Sequence, residues 1–185
     1  MYITGLDLSL NSAGISIYGN GAVKTYTITP NSKLNQDRKL DFIVNELIHF
    51  TFPSYAKVVI FIEGYSFTQR SASITILAEL SGTLKHLLRE SNITYYIIPP
   101  TVLKKYVTGK GNAKKEQMIL GAYKTWGVEF PSNDEVDAFA LMKLGTDLLN
   151  EDTRLDTPFI TDLRKKLNVV AMGSTGTAPE ESGVK

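Results

Sequence analysis

The chain contains no cysteine, which rules out disulfides and thiolate metal sites at once. Only two histidines are present, His49 and His86, so a zinc centre built from several imidazoles is disfavoured. Any metal chemistry must then rest on oxygen ligands, which favours Mg²⁺ or Mn²⁺. Long hydrophobic runs are also missing. The strongest, Val58 to Ile62, is far too short to span a bilayer. The first residues lack the charged start and apolar core of a signal peptide, and the simplest expectation is an intracellular, cytoplasmic protein. Nor is there an excess of one charge: 20 basic and 19 acidic residues leave a formal +1, so bulk charge gives no vote for nucleic acid.

What is present is ordinary for a soluble globular chain, with 43% hydrophobic and 21% charged residues in 185. That length fits one domain, expected over residues 1–170. The Gly-, Ser-, Thr- and Glu-rich residues 171–185 lack apolar periodicity and read as a disordered tail. Charge distribution says more than its total. Lys104, Lys105, Lys110, Lys114 and Lys115 form a basic stretch with no acid before Glu116. Such a stretch beside scattered carboxylates suggests an acidic pocket next to a basic surface.

Three strand-like runs open the chain: Met1 to Asp7, Ala13 to Tyr18 and Ala22 to Thr29. The last two are joined by Gly19-Asn20-Gly21, a hairpin signal. Helical spacing follows over Asn35 to Phe50, then a buried strand over Val58 to Glu63. Leucines then recur at three and four residues through Ser71 to Ser91. Ile93 to Ile98 is strand-like, and helices are predicted over Thr101 to Val107, Lys114 to Trp126, Asn133 to Leu149 and the amphipathic stretch from Pro158 to Val170. The order βββαβαβα plus further helix is that of an α/β protein. It suits a mixed five-stranded sheet, its first three strands antiparallel, with helices on both faces.

Asp7 ends the first strand, Glu63 ends the most apolar one, and Asp134 with Asp137 opens a helix. A carboxylate at the end of an apolar strand is costly without a compensating cation. If the first and fourth strands are neighbours, Asp7 and Glu63 emerge side by side. The three-residue spacing of Asp134 and Asp137 puts both on one helical face. Four acids meeting there would need cations, and two divalent ions about 4 Å apart make a phosphodiester-cleaving centre. Each acid also has a plainer reading. Asp7 could start a turn, Glu63 could face solvent at a strand end, and Asp134 could be a helix N-terminal acid.

With these residues in view, a resemblance can be stated. Ile3-Thr4-Gly5-Leu6-Asp7-Leu8-Ser9, followed by Gly14, resembles the first motif of RuvC-type Holliday junction resolvases. Phe61-Ile62-Glu63 resembles their second acidic motif. Leu103 to Gln117 is similar to their lysine- and glycine-bearing segment, and Asp134-Glu135-Val136-Asp137-Ala138-Phe139-Ala140 to their closing helix. The likeness spans about residues 1–150 and implies an RNase H-like fold. It further implies a homodimeric endonuclease of DNA recombination and repair that cuts four-way junctions by paired, Mg²⁺- or Mn²⁺-dependent nicks.

By the same resemblance, Asp7, Glu63, Asp134 and Asp137 are metal ligands, and Lys104 and Lys115 match the functional lysines, Lys115 beside the attacked phosphate. Lys105, Lys110 and Lys114 are expected along the DNA backbone, although a solvated basic loop explains such a run as well. Ser66 aligns with a base-stacking aromatic, a role open here to Tyr65 or Phe67, as is core packing. Glu135 reads either as a helix-surface residue or as an extra outer group at the site. The Ser71 to Ser91 helix is a candidate for part of the dimer face.

Three rivals stand beside this reading. A sugar-kinase/actin-type ATPase opens similarly but needs a second such domain. An RNase H-like nuclease could act on other branched DNA or structured RNA. A junction-binding protein without catalysis would not need all four acids.

Overall fold

The computed structural model describes residues 1–51, 57–65, 72–150 and 157–168. Strands β1 (Tyr2–Asp7), β2 (Ala13–Gly19) and β3 (Ala22–Ile28) come first, then helix α1 (Gln36–Thr51), β4 (Val58–Glu63), α2 (Ala72–Glu90) and β5 (Thr94–Ile98). Helices α3 (Pro100–Thr108), α4 (Lys115–Trp126), α5 (Asn133–Leu149) and α6 (Pro158–Lys166) complete the order. The expected element order is met, with most ends shifted by a residue or so; the last helix stops at Lys166, and Val170, its expected end, lies outside the described residues. Helix α3, for instance, begins on Pro100, whose missing N–H costs nothing in a first turn. The expected tail 171–185 and Phe67 lie outside the described residues. Among the described residues no helix is long and apolar enough to cross a membrane.

The five strands lie in the order β3-β2-β1-β4-β5. The first three pair antiparallel, and β2 turns into β3 through Asn20 and Gly21, both at positive φ as a tight hairpin turn requires. Strands β4 and β5 join parallel to β1. A parallel strand inside such a sheet is covered on both sides, which is why β4 reads as an unbroken apolar run.

Side chains alternate between two cores. Leu6, Ile15, Val58, Ile60 and Ile62 pack with α1 and α2, while Ile3, Val59 and Phe61 pack with α3, α4, α5 and α6. Gly5 and Gly14 occupy the α5 side of β1 and β2, and α5 comes so close that a side chain would not fit. A Cβ on Gly5 would run into the Ala138 carbonyl, and one on Gly14 into that of Asp134. Sequence order thus gives two helical layers, and two missing Cβ atoms seat one helix against the sheet.

Helix α5 is anchored at both ends. Ser132 caps its start, with Oγ accepting from the Glu135 N–H at 3.2 Å. At its far end Arg164 of α6 donates Nε to the Leu148 carbonyl (2.9 Å) and Nη2 to those of Asp147 and Asn150 (3.1 Å each). Ile160 and Leu163 bury the inner face of α6 against this core, as its amphipathic spacing predicts. Tyr106 of α3 adds a tie by donating its hydroxyl to Asp147 at 2.7 Å.

Candidate metal centre

Alternation along the strands decides where the acids point. Leu6 and Ile62 are register partners in parallel β1 and β4, and both face α1 and α2. The next residues, Asp7 and Glu63, therefore leave the same end of the sheet on the α5 side. Asp137, in the second turn of α5, comes down onto them because Gly14 lets that helix approach. Carboxylate oxygens of Asp7, Glu63 and Asp137 lie within 4.8 Å of one another.

The fourth expected ligand is held differently. Asp134 stands beside this triad, where it accepts a hydrogen bond from the Ser12 hydroxyl at 2.6 Å. Glu135 turns the other way and accepts from Thr27 of β3 at 2.7 Å, tying the start of α5 to the hairpin. The sequence leaves Glu135 open between a helix-surface residue and an extra outer group at the site; it is tied to Thr27, and the close triad of carboxylates does not include it. Ser12 and Thr27 escaped sequence reasoning. Both are ordinary turn or strand residues whose partners lie 122 and 108 positions away.

Three carboxylates this close cannot all stay charged without help. Burial pushes Asp7 well above the usual carboxylate range, and the charges of Glu63, Asp137 and Asp134 push it further. Burial also raises Glu63, opposed by its hydrogen bond with Asp7 and by Lys104 and Lys115. Asp7 is thus the partner that carries the proton in this pair. Asp137 is pushed up to about 7, by burial first and Glu63 second, with Lys115 and Lys104 pulling it back.

Oxygen donors alone, crowded and reluctant to ionise, fit a hard divalent cation such as Mg²⁺ or Mn²⁺ and offer nothing to a soft one. The triad therefore accommodates the metal that the motifs imply.

A pH dependence follows. The folded, metal-free chain retains on Asp137 a proton that the unfolded chain releases near pH 4, so this site's contribution to stability is full below about pH 4 and is lost as pH rises to about 7. A cation takes the place of those protons. Thermal melts with and without Mn²⁺ should accordingly show a larger metal-induced rise in Tm at pH 8 than at pH 5. Equal rises at both values would mean that the ion binds elsewhere.

Lys104 and Lys115 both bear on Glu63 and Asp137, and they bring α3 and the first turn of α4 to the same corner. The loop between them is tightly made. Thr108 donates to the Lys104 carbonyl (2.8 Å), Gly109 ends α3 at φ 76°, and Gln117 accepts from the Lys114 N–H (2.8 Å). Lys110 and Lys114 are exposed on this loop. Lys105 lies elsewhere, with its ammonium 5.6 Å from the centre of the Phe159 ring. Tyr65, two residues beyond Glu63, is half-buried. The structure thus gathers three of the four acids and two of the five lysines at one corner, with Asp134 at its flank.

No protein-family model matches the sequence. Among curated proteins, the chain is 31% identical over 152 residues to the crossover junction endodeoxyribonuclease RuvC of Ehrlichia canis, covering 76% of this chain and 93% of that protein. It is 28% identical over 148 residues to the protein of the same name from Rickettsia typhi, covering 76% and 94%. Among solved structures, RuvC of Thermus thermophilus superposes with a TM-score of 0.60 at 17% identity, over 77% of this chain and 91% of that one. The same protein in complex with a Holliday junction gives 0.58 at 15% identity, over 77% and 90%. These superpositions establish the RNase H-like fold expected from the motifs. With the first relative spanning nearly its whole length at that identity, the chain belongs to the RuvC family of crossover junction endodeoxyribonucleases.

Proposed function

We propose that this protein is a Mg²⁺-dependent endodeoxyribonuclease that resolves four-way DNA junctions. The observation that carries the reading is the convergence of Asp7, Glu63 and Asp137 beside Lys104 and Lys115, in a chain of this family. The three acids, with Asp134 at their side, would hold one or two Mg²⁺ ions, and Mn²⁺ fits the same donors. Bound there, a divalent cation activates a water and offsets charge on the cleaved phosphodiester.

The chain's own groups do the rest. Lys104 and Lys115 place positive charge beside the carboxylates, so the scissile phosphate enters an acidic pocket through a basic rim. Lys110 and Lys114, exposed on the adjoining loop, are placed for backbone phosphates that fix register and carry no sequence information. Lys105, engaged with Phe159, contributes to that surface only from its far side. Tyr65, and Phe67 beyond it, would meet bases next to the cut.

Paired nicks need two such sites. We therefore place the enzyme as a homodimer, with α2 a candidate for part of the shared face, acting on DNA in the cytoplasm.

The test is cleavage of a labelled synthetic four-way junction in Mg²⁺, beside a linear duplex and a branched RNA. Symmetrical nicks in the junction alone are expected. Faster cutting of the RNA or of another branched DNA would move the substrate and leave the chemistry standing.

A further inference from the structure

Ser12 is a neutral side chain that grips an acid of the site, and it does so from an unusual place. It lies in the turn between β1 and β2, five residues after Asp7. That turn is internally braced: Ser9 Oγ accepts from the N–H groups of Asn11 and Ser12 at 3.4 Å, and Lys39 of α1 donates to the Asn11 side chain at 3.1 Å. From this braced position the Ser12 hydroxyl donates to Oδ2 of Asp134 at 2.6 Å. Behind Asp134 the helix backbone rests on Gly14, and its neighbour Glu135 is bonded to Thr27. The main chain of Asp134 is therefore fixed by packing. Only its side-chain rotation is left for Ser12 to decide.

We propose that Ser12 is a positioning residue for cation binding, pinning one oxygen of Asp134 so that the other faces the Asp7–Glu63–Asp137 triad. Oδ2 is occupied by the hydroxyl, which leaves Oδ1 for an ion on the α5 flank of the triad. Because Asp7 and Ser12 share one short turn, the donor that orients Asp134 is carried on the same stretch of chain as one member of the triad. Partners that orient a metal-binding side chain typically govern ten- to a hundred-fold in affinity. A carboxylate without such a donor must be ordered by the ion itself, at a cost in side-chain entropy.

This inference rests on the metal-nuclease reading, and its test separates the two. Mn²⁺ binding to the full-length chain, without DNA, is followed by electron paramagnetic resonance for the parent, Ser12→Ala, Ser12→Thr and Asp134→Asn proteins. Ser12→Ala should weaken binding about tenfold. Ser12→Thr, which keeps the hydroxyl, should restore it to within about twofold of the parent. In junction cleavage the half-saturating Mg²⁺ concentration should rise in Ser12→Ala while KM for the junction stays put. Added to Asp134→Asn, the Ser12→Ala change should cost nothing further.

Parent-like Mn²⁺ binding by Ser12→Ala overturns the role of Ser12. So does an undiminished loss in the Asp134→Asn background, or an equal loss in Ser12→Thr. A parent protein that binds no Mn²⁺ removes the metal reading itself, and Ser12's role with it.

Discussion

An Asp7→Asn protein should lose junction cutting by on the order of 10³-fold or more, yet bind the junction as the parent does and melt at a higher temperature in EDTA at pH 8. The two halves share one cause. Asp7 sits deepest among the acids, where burial and the charges of Glu63, Asp137 and Asp134 all oppose its ionisation. An amide matches the carboxylate in shape and carries no charge, so without metal it relieves the cluster. With metal it removes the one acid that every member of the cluster surrounds.

The gain in Tm should shrink as pH falls, because acid progressively neutralises Asp7 in the parent, whose burial already favours the protonated form. With the lysines supplying the phosphate contacts proposed for them, junction binding should persist in the variant. A variant that binds poorly and melts lower than the parent would show instead that Asp7 supports the fold.

The largest expected effect on stability comes from Gly14→Ala. A Cβ at that position overlaps the backbone carbonyl of Asp134, and backbone atoms cannot turn aside as a flexible side chain can. Either β2 bends or the start of α5 lifts away. Overpacking of a tight interface costs typically 1–3 kcal/mol, and more where only main chain can yield, so a loss of about 3 kcal/mol is expected. Lifting α5 also withdraws Asp137 from Asp7 and Glu63. The variant should therefore show a lower denaturation midpoint and no Mn²⁺-induced rise in Tm. A variant with the parent's midpoint and full metal response would mean that the helix is free to shift without consequence.

Much of this was legible in the chain, and for identifiable reasons. Val58 to Glu63 read as the clearest buried strand, and the acids ending β1 and β4 stood out because charge is rare beside such runs. Their meeting was conditional on β1 and β4 being neighbours, and the register of that parallel pair then places Asp7 and Glu63 on one face. The lysine stretch shows where that reasoning stops. Lys104 and Lys105 are adjacent in sequence, but neighbours on a helix point about 100° apart, and a basic run says nothing about which faces the acids. Only the packing of α3 sends Lys104 to the site and Lys105 to Phe159.

Long-range hydrogen bonds were equally hidden. Ser12 with Asp134, and Thr27 with Glu135, pair unremarkable side chains across more than a hundred residues. The last helix was visible as an amphipathic stretch, yet nothing in the pattern foretold that Arg164 would take two carbonyls of α5 and that of Asn150 just beyond it.

That guanidinium has a dynamic meaning. Helix ends normally fray, since their last carbonyls bond only to water and the final turn opens and closes rapidly. In α5 the first turn is bonded to Ser132, Thr27 and Ser12 and the last to Arg164, so unwinding cannot start at either end without first breaking contacts to other elements. Hydrogen exchange along α5 should then be as slow at its ends as at its middle, and Asp137 inherits the stillness of the protein's interior although it is only partly buried.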